Sequence, residues 1–319
     1  MINASVIICA YTMERWEQLQ AAVISVRGQT RPASQILVVI DGNEELRRRA
    51  ATEFGGVTVL ENSKTPGLSG GRMTGAEAAV APILVFLDDD AVAEPTWLEQ
   101  LLRCYEDPAV LGVGGYIRPI WSGAEPAWFP PEFYWVVGCT YAGMPVRNGR
   151  IRNPIGASMS VRAEVLARAG GFASQLGRRE GERLEGGIAE SCEETEFCIR
   201  ATRLNPGSYW AYCATARVGH HVPPQRMAWR YFVRRCRMEG TAKAVLTDMA
   251  GTKDGLGSER RYVIGLCGAV LRSLASGYLR RAGAICGGFG ITALAYFRTR
   301  ALIRAVRKAP SGYSDRAAA

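Results

Sequence analysis

The sequence predicts an α/β fold, a doubly wound and mostly parallel sheet with an α-helical C-terminal extension. Three observations carry that expectation. Short apolar, β-branched runs recur at 5–10, 36–40, 57–60 and 83–87, as strands covered on both faces require. Segments with helical spacing separate them, giving a β-α-β-α-β-α-β rhythm over the first hundred residues. After Tyr231 the pattern is helical to the end.

Each element has its own signal. Ser5–Ala10 (SVIICA) is the first strand. Trp16, Leu19, Val23 and Val26 put one apolar face on a helix over Glu14–Arg27, and Gly28 is a stop signal. Ile36–Ile40 (ILVVI) is the second strand, closed by the turn residues Asp41, Gly42 and Asn43. A helix over Glu44–Phe54 leads to the third strand, Val57–Leu60. Pro66–Gly71 form a loop, with Ser69 a candidate N-cap for a helix through Ala79. Ile83–Leu87 is the fourth strand, and Pro95 suits the first turn of a helix reaching Tyr105. Gly112–Arg152 is rich in aromatics and proline, among them Trp121, Trp128, Phe129, Phe133, Trp135 and Tyr141. Such rings serve a pocket or an ordinary core equally well.

Composition is that of a globular chain with enough apolar material for a full core, 48% hydrophobic against 22% charged. The net charge of +9 is unevenly placed. Arg217–Lys308 holds 18 Lys/Arg against 4 Asp/Glu, a balance of +14, so residues 1–216 carry −5. An acidic half joined to a basic tail points to an anionic substrate or surface. Nine cysteines without a C-x-x-C pair read as small buried hydrophobes of a reducing compartment. Val6–Ala10 is too short for a signal-peptide core and lacks a basic flank, so the expected location is the cytoplasm. Tyr262–Leu279 and Ala282–Phe297 are apolar stretches split by Arg280 and Arg281; the second has 16 uncharged residues, short of the ~18–20 that span a bilayer. An interfacial hairpin on the inner face of a membrane fits better. Packing on the rest of the chain, or on a second subunit of a homo-oligomer, is the alternative.

Three consecutive aspartates, Asp88, Asp89 and Asp90, stand at the carboxyl end of the fourth strand. They repel one another unless a cation sits among them, and hard oxygen ligands suit Mg²⁺ or Mn²⁺. Open α/β sheets also bind ligands at this end of their strands. A solvated acidic turn is the plainer reading of such a triplet. Arg72 ends a Gly-rich loop and could pair with phosphate oxygens. No G-x-G-x-x-G follows the first strand and no Walker lysine occurs, which disfavours hydride transfer and P-loop hydrolysis.

Six segments then occur in a telling order: VIICAYT at 6–12, LVVIDGN at 37–43, GLSGGR at 67–72, FLDDDA at 86–91, GASMS at 156–160 and CEETEFCIR at 192–200. From about Ser5 to about Lys243 the chain resembles the family 2 glycosyltransferases of GT-A fold. The resemblance implies inverting, metal-dependent transfer of one sugar from a nucleoside diphosphate sugar, a UDP-sugar, to an acceptor hydroxyl. It implies Asp90 as a direct ligand of Mn²⁺ or Mg²⁺, with Asp88 beside the ribose or a metal-bound water and Asp89 sharing either task. The chain's only histidines, His220 and His221, stand where a third metal ligand is expected, with His220 preferred. Donor-nucleotide contacts are implied for Ala10, Thr12, Arg15, Asp41, Gly71 and Arg72, and acceptor contacts for Trp135, Gly156, Ala157, Ser158 and Met159. A carboxylate opposite the leaving group must deprotonate the acceptor as it attacks. The family usually carries Asp at the second position of its acidic pair, where Glu194 stands here; the longer side chain keeps Glu193 and Glu196 as alternatives.

Arg230–Lys243 and Trp135–Tyr141 resemble a bacterial and archaeal subgroup, some of whose members are named as glucuronosyltransferases acting on lipid-phosphate-linked sugars. This implies a polyprenyl-phosphate-linked acceptor; a secondary metabolite is the other option. Gln225–Trp229 reads QRMAW and lacks the Q-x-x-R-W signature of processive synthases, which favours single-sugar addition. The expected divisions are a nucleotide-sugar half (1–115), an acceptor and catalytic-base half (116–230) and a basic helical region (231–319). Two other classes compete. A nucleotidyltransferase would want a Gly-rich basic loop directly after the first strand, where Met13-Glu14-Arg15 stands. An inactive scaffold binding anionic surfaces would not need the acids; nucleic acid is not an expected partner.

Overall fold

The computed structural model describes residues 2–173, 192–251 and 259–308. Strands β1 (Ala4–Ala10), β2 (Gln35–Ile40), β3 (Thr58–Glu61) and β4 (Ile83–Asp88) run parallel in the order β3-β2-β1-β4. Their crossovers are α1 (Trp16–Arg27), α2 (Glu44–Glu53) and α3 (Leu68–Ala78). Alternate side chains feed two cores. Val6, Ile8, Val38 and Val85 pack on the α1 side, whereas Ile7, Val39 and Phe86 face the other layer. Burial on both faces is why these strands are apolar throughout.

The second half of the sheet is mixed. After β4 come the short β5 (Ala91–Ala93), α4 (Trp97–Arg103) and the long β6 (Val110–Trp121); β7 (Gly149–Ile151), β8 (Ser158–Arg162), α5 (Ala163–Arg168), α6 (Glu193–Leu204) and β9 (Tyr209–Val222) follow. β8 is antiparallel to β4 and to β6, β6 is parallel to β9, and β9 carries β5 and β7 antiparallel. Among the described residues all nine strands form one sheet. Residue 115, the expected boundary between the two halves, falls inside β6.

Among the described residues, three α-helices follow β9: α7 (Trp229–Ala250), α8 (Glu259–Ala275) and α9 (Leu279–Lys308). α9 starts through Arg280 and Arg281, so the break between the apolar stretches falls earlier, at Gly277 with φ +76°. α7 and α9 meet at glycines: a Cβ on Gly240 would overlap the Thr292 carbonyl, and one on Gly288 would overlap Phe133 and Phe232. Ser69 is not an N-cap. The cap falls two residues earlier, at Gly67 with φ 114°, whose N–H donates to Asp41 Oδ2 at 2.7 Å. Ser69 lies inside α3 and serves the site.

Candidate active site

The aspartates and the first histidine meet because β5 follows them at once. Pairing of Ala91 with His220 folds the turn after β4 back against β9. His220 Nε2 then lies 3.0 Å from Asp90 Oδ1 and 3.9 Å from Asp88 Oδ2, and one donor atom from each lies within 4.8 Å of the others. Asp90 and His220 are buried, whereas Asp88 is half-buried. Burial opposes charge on both buried groups, yet each holds the other ionised: Asp90 lies below the usual carboxylate range and His220 well above the usual imidazole range. The Gly138 turn borders the ring edge, and Cys139 Sγ lies 3.8 Å from Nδ1. Two carboxylates and one imidazole are a donor set suited to Mn²⁺ or Mg²⁺.

Neighbouring strand positions separate the two histidines. His221 points away, with Nε2 2.8 Å from Ser122 Oγ, and it does not join the cluster. Asp89 also departs from expectation. It is buried and bound by Arg15 Nη1 at 3.0 Å, and Arg15 reaches Asp90 Oδ2 at 3.3 Å. Burial and Asp90 raise the Asp89 carboxyl to about 7 against the pull of Arg15. Its visible task is to hold Arg15. Arg226, just past β9, stands 3.8 Å from Asp90 Oδ2 and was not singled out by sequence, since it reads as one of many basic tail residues.

Arg72 is fully buried and lies among acids. Nη1 donates to Glu194 Oε1 at 2.8 Å and to Glu193 Oε1 at 3.1 Å, while Nη2 is 3.7 Å from Asp88 Oδ1. Despite burial, those carboxylates hold it ionised, with its pKa raised. The expected phosphate partner thus stands between Asp88 and the acids that open α6. Glu193 is buried and accepts a hydrogen bond from Ser69 Oγ at 2.8 Å. Glu196 turns outward to Arg200 at 2.7 Å, outside the cleft. Glu194 is the more open carboxylate of the two that line it. Gly156 faces this pair so closely that a Cβ there would overlap both Glu194 Oε1 and the Arg72 guanidinium.

These groups open into one cleft of ≈ 2360 Å³. Ala10, Arg15, Asp41, Gly71, Arg72 and all three aspartates line it, as do Trp135, Gly156 and Ala157. Asp41 is anchored by Asn62 Nδ2 at 2.7 Å as well as by Gly67. Thr12 is off the lining and caps the 3-10 turn Met13–Arg15. Ser158 and Met159 are buried within β8; Ser158 Oγ accepts the Trp97 indole N–H at 2.9 Å, and Met159 packs in the core. The aromatic segment divides in two. Phe133, Trp135 and Tyr141 line the cleft, whereas Phe129 is buried against Trp121, Trp128 and Phe232. The far wall is basic and apolar, with Arg150, Arg234, Arg237, Tyr262, Leu266 and Phe289.

Comparison with known proteins agrees with this geometry. The glucosyl-dolichyl phosphate glucuronosyltransferase of Haloferax volcanii is 34% identical over 249 residues, 77% of each chain. Polypeptide N-acetylgalactosaminyltransferase 15 of Mus musculus is 34% identical over 112 residues, a third of this chain and 17% of its own length. Among solved structures, the mannosyltransferase of Pyrobaculum calidifontis in complex with GDP-Man and Mn²⁺ superposes with a TM-score of 0.58 at 17% identity, covering 96% of this chain and 88% of that one. GalNAc-T7 with UDP, GalNAc and Mn²⁺ gives 0.52 at 18% identity, covering 70% and 43%. At such identity the structures establish the fold alone, which is GT-A. The glycosyl transferase family 2 model matches residues 5–170. With that match and the Haloferax relative, the chain belongs to glycosyl transferase family 2 and is a glycosyltransferase.

Proposed function

We infer that the protein moves a single sugar, with inversion, from a UDP-sugar to a hydroxyl of a lipid-phosphate-linked acceptor. The observation that carries this reading is the shared cleft. The Asp88, Asp90 and His220 donors and the Glu194 carboxylate line the same cleft, and Arg72 contacts both Asp88 and Glu194. A divalent cation held by the three donors would offset the charge that builds on a departing diphosphate. Arg15 and Arg226, beside the same acids, hold the remaining phosphate charge, and Asp41 with its Asn62 brace supports the nucleoside. Glu194 takes the proton of the attacking hydroxyl. Trp135, fixed by its indole N–H on the Tyr262 hydroxyl at 3.0 Å, offers the acceptor an aromatic face. The basic and apolar far wall suits an acceptor that carries both a phosphate and a hydrocarbon chain, and the name of the Haloferax relative supports that class.

The test is calorimetric binding of UDP, GDP and dTDP with Mn²⁺ and with EDTA, followed by transfer to a polyprenyl-phosphate-linked sugar. UDP should bind only with the metal. Glu194→Gln should keep that binding and lose transfer by roughly 100-fold or more, the scale of a lost general base. Preference for GDP would overturn the donor assignment. Full turnover by Glu194→Gln would move the base to Glu193.

A further inference from the structure

Among the described residues, none covers the outer faces of α8 and α9. On α8, Ile264, Cys267, Leu271 and Leu274 recur at helical spacing on the exposed side, while Leu266, Ala269 and Ser273 are buried. On α9 the exposed stripe holds Leu279, Cys286, Leu294, Phe297 and Ala301, while Ala284, Ile285 and Ala295 face inward. Leu271, Leu279, Leu294 and Phe297 are 67%, 68%, 72% and 67% exposed, so both helices present large apolar side chains to the outside. Trp229, itself half exposed, stands against α9 at Gly287.

Charge says what covers this face. Between Tyr262 and Lys308 the sequence holds eight Arg/Lys and no Asp or Glu. Arg280 and Arg298 are exposed beside the α9 stripe, and Arg272 is exposed on α8. Apolar side chains flanked by arginines match the headgroup boundary of an anionic bilayer, where the rings and chains enter and the guanidinium groups stay with phosphate. Arg300 and Arg307 pair with Asp248, and Arg272 stands 3.7 Å from Glu132; a second copy would still bring the remaining arginines of these helices against their own like. No described helix is long and apolar enough to cross a membrane.

We propose that α8 and α9 form a docking surface for an anionic lipid bilayer, with the helices lying in its interface. The opposite faces of the same helices wall the cleft through Leu266, Phe289 and Thr292. Docking would therefore open the acceptor side of the cleft beside the lipid surface. The proposal rests on the packing and charge of two helices and needs neither donor nor acceptor to be identified.

The experiment is co-sedimentation of the full chain with vesicles of phosphatidylcholine plus phosphatidylglycerol, and with phosphatidylcholine alone. Binding to the anionic vesicles should weaken as salt rises. The combined variant L271E/L294E/F297E should lower the bound fraction on the order of tenfold or more. R280S/R298S should lose the preference for anionic lipid, with an unchanged circular dichroism spectrum showing that the helices stand. Equal binding by the apolar variant would overturn the proposal. So would a dimer, seen by light scattering, that Leu294→Glu dissociates, since a second copy would then cover the face.

Discussion

His220 and His221 are adjacent, and only the fold distinguishes them. Strand alternation sends one ring to Asp90 at 3.0 Å and the other to Ser122. With the site empty, a proton on His220 balances Asp90, and its pKa lies well above the usual value although burial opposes this. A metal must displace that proton. The sign follows: Mn²⁺ affinity rises with pH until the raised His220 value is passed, by about tenfold per unit for one proton. His220→Ala should weaken Mn²⁺ binding by roughly 10- to 100-fold, the range seen when metal sites lose support, and flatten its pH dependence. His221→Ala, whose ring titrates below the usual value through burial, should leave both nearly unchanged. Calorimetric Mn²⁺ titrations over a pH series decide it, and a steep profile in His220→Ala would remove the imidazole from the site.

At the scale of elements, what the sequence made legible was whatever has a local cause. β1 to β4, their crossovers and the acid triplet follow from apolar runs and turn residues, each within a few positions of the observed bounds. Long-range pairing was less accessible. Nothing local says that three residues, Ala91–Ala93, will pair with β9, nor that Arg72 will meet Glu193 and Glu194 across more than a hundred residues. The resemblance of GASMS at 156–160 puts Ser158 and Met159 with Gly156 on the acceptor side, yet a strand sends them into the sheet. The glycines of the last helix are a further case. They lowered its fitness as a span, but Gly288 is there so that Phe133 and Phe232 can fit, just as Gly240 admits the Thr292 backbone. Gly240→Val would force α7 off α9 at a backbone atom that cannot yield, and β-branching adds its own helix penalty. The expected loss is about 1–3 kcal/mol in urea unfolding, with Mn²⁺-dependent nucleotide binding retained. Unchanged stability would mean that the two helices do not pack at this crossing.

Across the whole molecule, the cleft is where the parallel and mixed parts of the sheet meet. Asp41 and Gly71 line it from the first part, Ala157 and His220 from the second, and Tyr231 and Phe289 from the helices. One bound nucleotide with its cation would touch groups separated by most of the chain. Ligand that binds only the folded form stabilises it by about 2.7 kcal/mol at a hundred times Kd. At the ~2–4 °C per kcal/mol of larger domains that is a rise in Tm of about 5–11 °C. Because the sheet is continuous through β4, β8 and β6, the rise should be the same by far-UV circular dichroism and by tryptophan fluorescence. Asp90→Asn should abolish it by both probes, as one of three donors and the anchor of His220, Arg15 and Arg226 are lost together. A shift by one probe alone would show the two parts of the sheet melting separately, and the ligand would then belong to the parallel strands rather than to the joint between them.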